Sequence, residues 1–201
     1  MPSSIAAAWP SPGRFALALL IGLAVTLGTV WMWGATLIEN LLPLTRYMLV
    51  WIDDRFGILF LGVERNWQDT VIHMRLNLSS GFVMGGRVVM PDPRGVLKVA
   101  TPVGSLLQPL AIAPAIAAAL PGKLDLRLMR FGLAALLALG FLIIDLPITL
   151  HAIAWDMIIY SLGVADFSPL LVWYQFTQSG GRLGIAVILG IAGWRLARKA
   201  T

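Results

Sequence analysis

The sequence contains no cysteine and few charged residues. Because cysteine is absent from all 201 positions, disulfides, thiolate catalysis and cysteine-based metal sites are excluded. Charged residues make up 12% of the chain and hydrophobic residues 58%, a balance far from that of a soluble domain. The composition therefore predicts a membrane protein.

Histidine is also scarce, and recognisable catalytic motifs are missing. His73 and His151 lie in different segments and form no metal-ligand motif, so we predict no metal site. No G-x-S-x-G frame surrounds Ser79. The glycine pairs 85–86 and 180–181 lack the Lys-Ser or Lys-Thr of a phosphate loop, and they predict a bulge and a helix break instead. We therefore predict no catalytic residue and no cofactor.

The chain is basic, with a net charge of +5 and a sequence pI near 10.2. The basic residues are scattered, and several stand at the ends of apolar runs. This distribution favours the anionic inner leaflet of a bilayer over nucleic acid. We therefore expect the lipid bilayer, and no nucleic acid, as a partner.

Apolar segments predict about four transmembrane helices. The first, residues 15–38, is uncharged and spans roughly 36 Å as a helix, enough to cross a hydrocarbon core of about 30 Å. It ends in Trp31-Met32-Trp33, which favours an uncleaved anchor over a signal peptide. The other predicted spans are residues 101–121, 131–150 and 182–198, of which the last is short.

A small β-containing periplasmic segment is predicted between the first two spans. Residues 39–100 mix apolar clusters with charges, which favours an interfacial helix followed by a strand and a small ectodomain. Apolar and polar residues alternate over 72–78, the period of a half-buried strand. Residues 87–90 and 96–100 flank a proline-rich and glycine-containing connection, so they are predicted to form a β-hairpin. The predicted fold class is an α-helical integral membrane protein with a small sheet.

The positions of lysine and arginine predict the orientation. Short segments rich in these residues are retained in the cytoplasm, which assigns the N-terminus 1–14, the loop 122–130 and the C-terminus 199–201 to that side. Residues 151–181 are apolar but interrupted by aspartates and a proline. We therefore expect them outside, as interfacial or re-entrant helices.

Asp145 and Arg182 are the predicted site residues. An ionisable side chain in the hydrocarbon costs about 2.5–3.5 kcal/mol unless it is paired or hydrated. Asp145 follows Arg130 by 15 residues and Arg182 precedes Arg195 by 13, so both lie roughly 20 Å from the inner edge of the membrane. We predict that they form an intramembrane ion pair. The alternative is that both are hydrated at the outer headgroup boundary.

Two stretches carry a resemblance to a known family. A strand-rich segment ends in Val99-Ala-Thr-Pro102, and the run Pro109-Leu-Ala-Ile-Ala-Pro-Ala-Ile-Ala-Ala-Ala-Leu-Pro121 precedes a basic turn and further spans. This layout over residues 15–160 resembles the small membrane proteins that accompany bacterial exosortases, in particular the exosortase H-associated family. The resemblance implies an accessory role in sorting exported proteins, a bacterial inner membrane and an exosortase partner. The chain lacks the Cys, Arg and His arrangement of exosortases, so no catalytic residue carries over.

Three functions follow as hypotheses. The first is a non-enzymatic inner-membrane accessory protein that binds a membrane or exported partner. The second is a polytopic membrane enzyme that uses Asp145 with a periplasmic polar residue such as His151 or Asp156; convergent acid, base or nucleophile groups would favour it. The third is a small transporter subunit, for which paired repeats or more intramembrane polar residues would be expected.

Overall fold

The computed structural model describes residues 12–65, 69–92, 94–121, 124–163 and 168–199. Within these ranges the chain is mostly helical, with a small sheet region between the first two helices. The helices are α1 (Pro12–Ile52), α2 (Val103–Ala119), α3 (Leu124–Leu162), α4 (Pro169–Phe176) and α5 (Arg182–Lys199).

Three helical stretches are long and apolar enough to cross a membrane. They are Pro12–Ile52, Leu126–Leu162 and Pro169–Arg198. The second predicted span corresponds to α2, which is apolar but has 17 residues. Most of each predicted cytoplasmic terminus and part of the predicted loop lie outside the described residues.

Helix α1 is continuous over 41 residues, about 62 Å at 1.5 Å per residue. Ile38, Thr45 and Leu49 are buried on its inner face, whereas Glu39 and Arg46 are exposed on the outer face. The structure thus differs from the predicted span that ends at residue 38 and is followed by a separate interfacial helix. One helix continues through the charged region because its buried residues recur with the helical period.

Helix α2 lies at the centre of the bundle and contacts α1, α3 and α5. Small residues allow this close packing. A Cβ atom added to Gly34 of α1 would lie 2.5 Å from Leu107 Cδ1, and one added to Gly190 of α5 would lie 2.9 Å from the Ala113 carbonyl oxygen. Small residues at interfaces of this kind let membrane helices approach each other.

Helix α3 has 39 residues and continues past the predicted boundary at residue 150. Helix α4 leads into α5 through a kink at Thr177–Gly181, in which the backbone of Ser179 and Gly180 is non-helical and Gly180 has a φ of 99°. The predicted helix break at this glycine pair is confirmed, since glycine adopts such a φ without a steric penalty. The predicted interfacial region 151–181 is thus divided between the end of α3 and the start of the apolar stretch Pro169–Arg198. Residues 164–167 lie outside the described part of the chain.

The main sheet has three antiparallel strands in the order β1-β2-β5: β1 is Phe56–Arg65, β2 is Thr70–Leu78 and β5 is Leu97–Pro102. The predicted strand at 72–78 is confirmed by β2. Its Ile72, Met74 and Leu76 side chains are buried in the core, and the residues between them lie on the other face.

Strands β3 (Phe82–Met84) and β4 (Arg87–Val89) form a separate hairpin. The predicted hairpin between residues 87–90 and 96–100 is wrong, because β4 pairs with β3 whereas β5 pairs with β2. Gly85 and Gly86 have φ values of 55° and 75°. Positive φ at both central residues is typical of a type I′ turn, so these glycines reverse the chain and do not form the predicted bulge.

Candidate functional site

The structure brings Asp145 of α3 and Arg182 of α5 together. Arg182 Nε donates to Asp145 Oδ2 at 2.8 Å, and the two side chains are 1% and 0% exposed. Arg182 is the first residue after the kink between α4 and α5, and its side chain points to α3. The contact is buried in protein, so the alternative of two hydrated side chains is wrong.

Two further side chains complete the hydrogen bonding of this pair. Trp173 Nε1 of α4 donates to Asp145 Oδ1 at 3.1 Å, and Arg182 Nη2 donates to Thr149 Oγ1 at 2.8 Å. Thr149 Oγ1 also lies 3.4 Å from Asp145 Oδ1. Because both carboxylate oxygens accept hydrogen bonds, this network joins α3, α4 and α5 through Asp145.

A second polar cluster lies where α1 ends and β1 begins. The Asp53 backbone N–H donates to the Leu49 carbonyl oxygen at 3.1 Å and closes the last turn of α1. Arg55 Nε donates to Asp53 Oδ1 at 2.7 Å, and Arg55 Nη2 donates to Asp53 Oδ2 at 2.9 Å. This bidentate contact fixes the geometry of the helix-to-strand connection.

Asp53 stays ionised despite its burial. Burial raises the pKa of the Asp53 carboxyl, but the hydrogen bonds and charge of Arg55 lower it by more, so the net pKa is below the ordinary value of 3.8. The same hydrogen bonds raise the pKa of the Arg55 guanidinium. The two groups are therefore a permanent ion pair at neutral pH.

His151 lies beside this cluster. Trp155 Nε1 donates to His151 Nε2 at 2.9 Å, which makes that nitrogen a hydrogen-bond acceptor. Asp53 Oδ2 lies 3.6 Å from the same nitrogen. Ser79 Oγ donates to the Arg55 carbonyl oxygen at 2.8 Å. The cluster is therefore held by structural contacts within the protein.

The residues of the predicted enzyme alternative do not converge. His151 follows Asp145 by six residues, which separates them by about 9 Å along α3 and roughly 240° around it. Asp156 is exposed and lies about 16 Å along the helix from Asp145. Asp145 therefore does not lie beside His151 or Asp156 in this structure.

The β3–β4 hairpin is fixed to the end of α3 by its inner face. The rings of Phe82 and Trp155 meet edge to face with centroids 5.2 Å apart, and the Arg55 guanidinium lies 5.1 Å from the Trp155 ring. Arg87 Nη1 donates to the Leu162 carbonyl oxygen at 2.7 Å. Contacts at both ends of the hairpin thus fix its orientation.

The opposite face of the hairpin is apolar and exposed. Val83 pairs with Val88 across the two strands, and Met90 follows on the same face. Their exposed fractions are 70%, 63% and 72%. We call these three residues the hairpin outer face, and it is the candidate functional surface.

Sequence reasoning missed several members of these clusters. Thr149 follows Asp145 by four residues and Trp155 follows His151 by four, so helical spacing gave a signal for both contacts. Trp173 and the contact of Asp53 with His151 had no such signal, because the partners are distant in sequence. The hairpin outer face was missed because β4 was paired with the wrong strand.

Within the described residues, no group of three acidic, histidine or cysteine side chains is placed to hold a metal ion. Comparisons of the chain with protein-family models, curated proteins and solved structures find no match.

Proposed function

We propose that this chain is a non-enzymatic accessory protein of the bacterial inner membrane, with both termini cytoplasmic and the sheet in the periplasm. It binds a second membrane or exported protein through the hairpin outer face. Arg94 follows this face along the chain and is exposed. The partner surface that fits is therefore an apolar patch with an acidic group at its border.

Helix lengths support a location of the hairpin beyond the hydrocarbon. Arg130 donates to the Pro121 carbonyl oxygen at the end of the bundle opposite the sheet. From Arg130 to His151, α3 rises about 32 Å, close to the hydrocarbon thickness of about 30 Å. The hairpin contacts Trp155 and Leu162, further along the same helix. At that height the hairpin outer face meets water unless a protein covers it.

The observation that carries the proposal is an exposed apolar face on a hairpin whose other face is fixed. Contiguous apolar residues on a soluble surface mark interaction sites. Burial of each such side chain in a complex contributes about 1.5–3 kcal/mol, so three of them suffice for the centre of an interface. The fixed inner face lowers the entropic cost of binding, because the surface is already ordered.

The geometry supports the two other hypotheses less. An enzyme would need Asp145 to be accessible, but Arg182, Thr149 and Trp173 occupy its oxygens. A transporter subunit would need a path between its helices, but α2 fills the centre of the bundle at van der Waals distance from its neighbours. An exosortase-type sorting system is the setting that the family resemblance implies for the accessory role.

A photocrosslinking residue at position 88, compared with one at position 59, tests the proposal in native inner membranes. Leu59 is a matched control because it is 56% exposed on β1, away from the hairpin. We expect one discrete protein adduct from position 88, none from position 59, and loss of the adduct when Val83→Asp is added. The captured protein is expected to be a membrane or exported protein. Lipid adducts alone, or identical adducts from both positions, would contradict the proposal.

A further inference from the structure

A groove between α1 and α2 opens at the side of the bundle. Its volume is about 770 Å³, in the range of small-molecule sites. Leu27 and Trp31 of α1 line it and are 53% and 88% exposed, so the groove opens outward along the helix surface. In the proposed membrane orientation this opening faces the outer leaflet.

The lining of the groove changes from charged to apolar along its length. Arg65 and Asp69, at the connection from β1 to β2, form the mouth beside the sheet. Ser105 lies in the first turn of α2, Gln108 is about 4.5 Å deeper, and Ile112 is about 6 Å beyond Gln108. Along the groove, charged groups are therefore followed by hydrogen-bonding groups and then by an apolar wall. This is the order of groups in an amphiphilic molecule.

The two charges at the mouth lack a partner among the residues that the structure describes. Every ion pair among the described residues is formed by other side chains, and Arg65 and Asp69 do not pair with each other. A guanidinium is suited to a phosphate and a carboxylate to an ammonium group. A single ligand that carries a phosphate and an ammonium group offers a partner to each of these side chains.

We propose that this groove binds one phospholipid with a zwitterionic phosphoethanolamine headgroup. The phosphate contacts Arg65 and the ammonium group contacts Asp69, while Ser105 and Gln108 lie at the level of the glycerol esters. One acyl chain follows the apolar wall. A membrane helix of another protein fits less well, because its apolar surface offers neither a phosphate to Arg65 nor an ammonium group to Asp69.

The first test fills the groove. Gly104 lines it, and a Cβ atom at this position would meet open space, so Gly104→Leu should fold and obstruct the groove. Gly140→Leu is the matched control, since Gly140 also has open space around it but lies on α3 outside the groove. After equilibration with dioleoyl phosphatidylethanolamine in detergent, native mass spectrometry should find one retained lipid on the wild type and on Gly140→Leu. Gly104→Leu should lose it.

The second test separates the two charges. Wild-type protein should retain phosphatidylethanolamine about tenfold more strongly than phosphatidylglycerol, which lacks the ammonium group. Asp69→Asn should abolish this preference, and Arg65→Gln should weaken retention of both lipids. Arg94→Gln, at an exposed arginine that does not line the groove, should change neither.

Several outcomes would overturn this inference. Equal retention of both lipids by the wild type, or undiminished retention by Gly104→Leu, would show only adventitious annular lipid. A protein adduct from a photocrosslinker at Ile112 would assign the groove to a membrane helix of a partner. These results are independent of the hairpin outer face, because none of the variants alters Val83, Val88 or Met90.

Discussion

Arg182 Nε lies 2.8 Å from Asp145 Oδ2 although the two residues are 37 positions apart. Both side chains are buried, and the contact joins the last helix to α3. A buried charge without its partner is much less stable than a buried pair, so this contact specifies how the two helices align. This contact stabilises the helical bundle on which the sheet and hairpin rest.

Removal of either partner should therefore destabilise the protein strongly. Asp145→Ala and Arg182→Ala should each lower the free energy of unfolding by about 3–5 kcal/mol, because each leaves an uncompensated charge. The double substitution should cost less than the sum, and Arg195→Ala, at an exposed arginine of α5, should have little effect. Thermal melting in detergent measures these values, and additive losses would show that the pair is not energetically coupled.

Acid should weaken the connection between α1 and β1. The pKa of Asp53 is lowered in the folded state, so its ion pair with Arg55 contributes stability above about pH 4, and this contribution is lost as the pH falls through the folded pKa. The difference in Tm between wild type and Asp53→Asn should thus be largest at neutral pH and shrink in acid. Asp54→Asn, at the exposed neighbouring carboxylate, controls for the loss of one negative charge. A pH-independent difference for Asp53→Asn would contradict the ionic role.

Two glycines of α5 should respond in opposite directions to the same substitution. A Cβ atom on Gly193 would lie 2.9 Å from the Ala134 backbone nitrogen, so Gly193→Ala should force α5 away from α3 and cost about 1–3 kcal/mol. Gly184 has open space, and Gly184→Ala should stabilise the helix by about 0.5–1 kcal/mol. Melting of both variants in the same detergent tests the packing, and equal effects would be evidence against it.

The position of a new charge on the sheet should decide whether the sheet stays folded. Met74 is 1% exposed, so Met74→Asp buries an unpaired carboxylate and should expose the sheet to protease. Val83→Asp places the same group on the hairpin outer face and should leave protease resistance unchanged. Resistance of the Met74→Asp variant would show that this face of β2 is not buried.

The sequence predicted the elements better than the way they pair. Alternation over residues 72–78 identified β2, because that signal is periodic and local. Counting the helical rise from Arg130 and from Arg195 placed Asp145 and Arg182 at similar depths, which selected them as partners. The pairing of β4 could not be predicted from its own residues, since it depends on which strand lies beside it in the fold. The two positive φ values at Gly85 and Gly86 decide it.

The boundary of α1 shows a second limit of sequence reasoning. The charges from Arg46 to Arg65 predict an interfacial helix separate from the first span, since charges that frequent do not fit a membrane span. The helical spacing of Ile38, Thr45 and Leu49 was present in the sequence and indicates a continuous helix with an exposed charged face. Trp173, in contrast, could not be connected to Asp145 without the tertiary structure.

Labelling of a Val88→Cys variant by a membrane-impermeant maleimide tests whether a partner covers the hairpin outer face, because the chain has no other cysteine. Leu59→Cys provides the matched control. We expect Val88→Cys to react from the periplasmic side, rapidly in purified protein and slowly in native membranes, and Leu59→Cys to react equally in both. Equal reaction of Val88→Cys in purified protein and native membranes would show that no partner covers the hairpin outer face, and labelling from the cytoplasmic side would contradict the orientation.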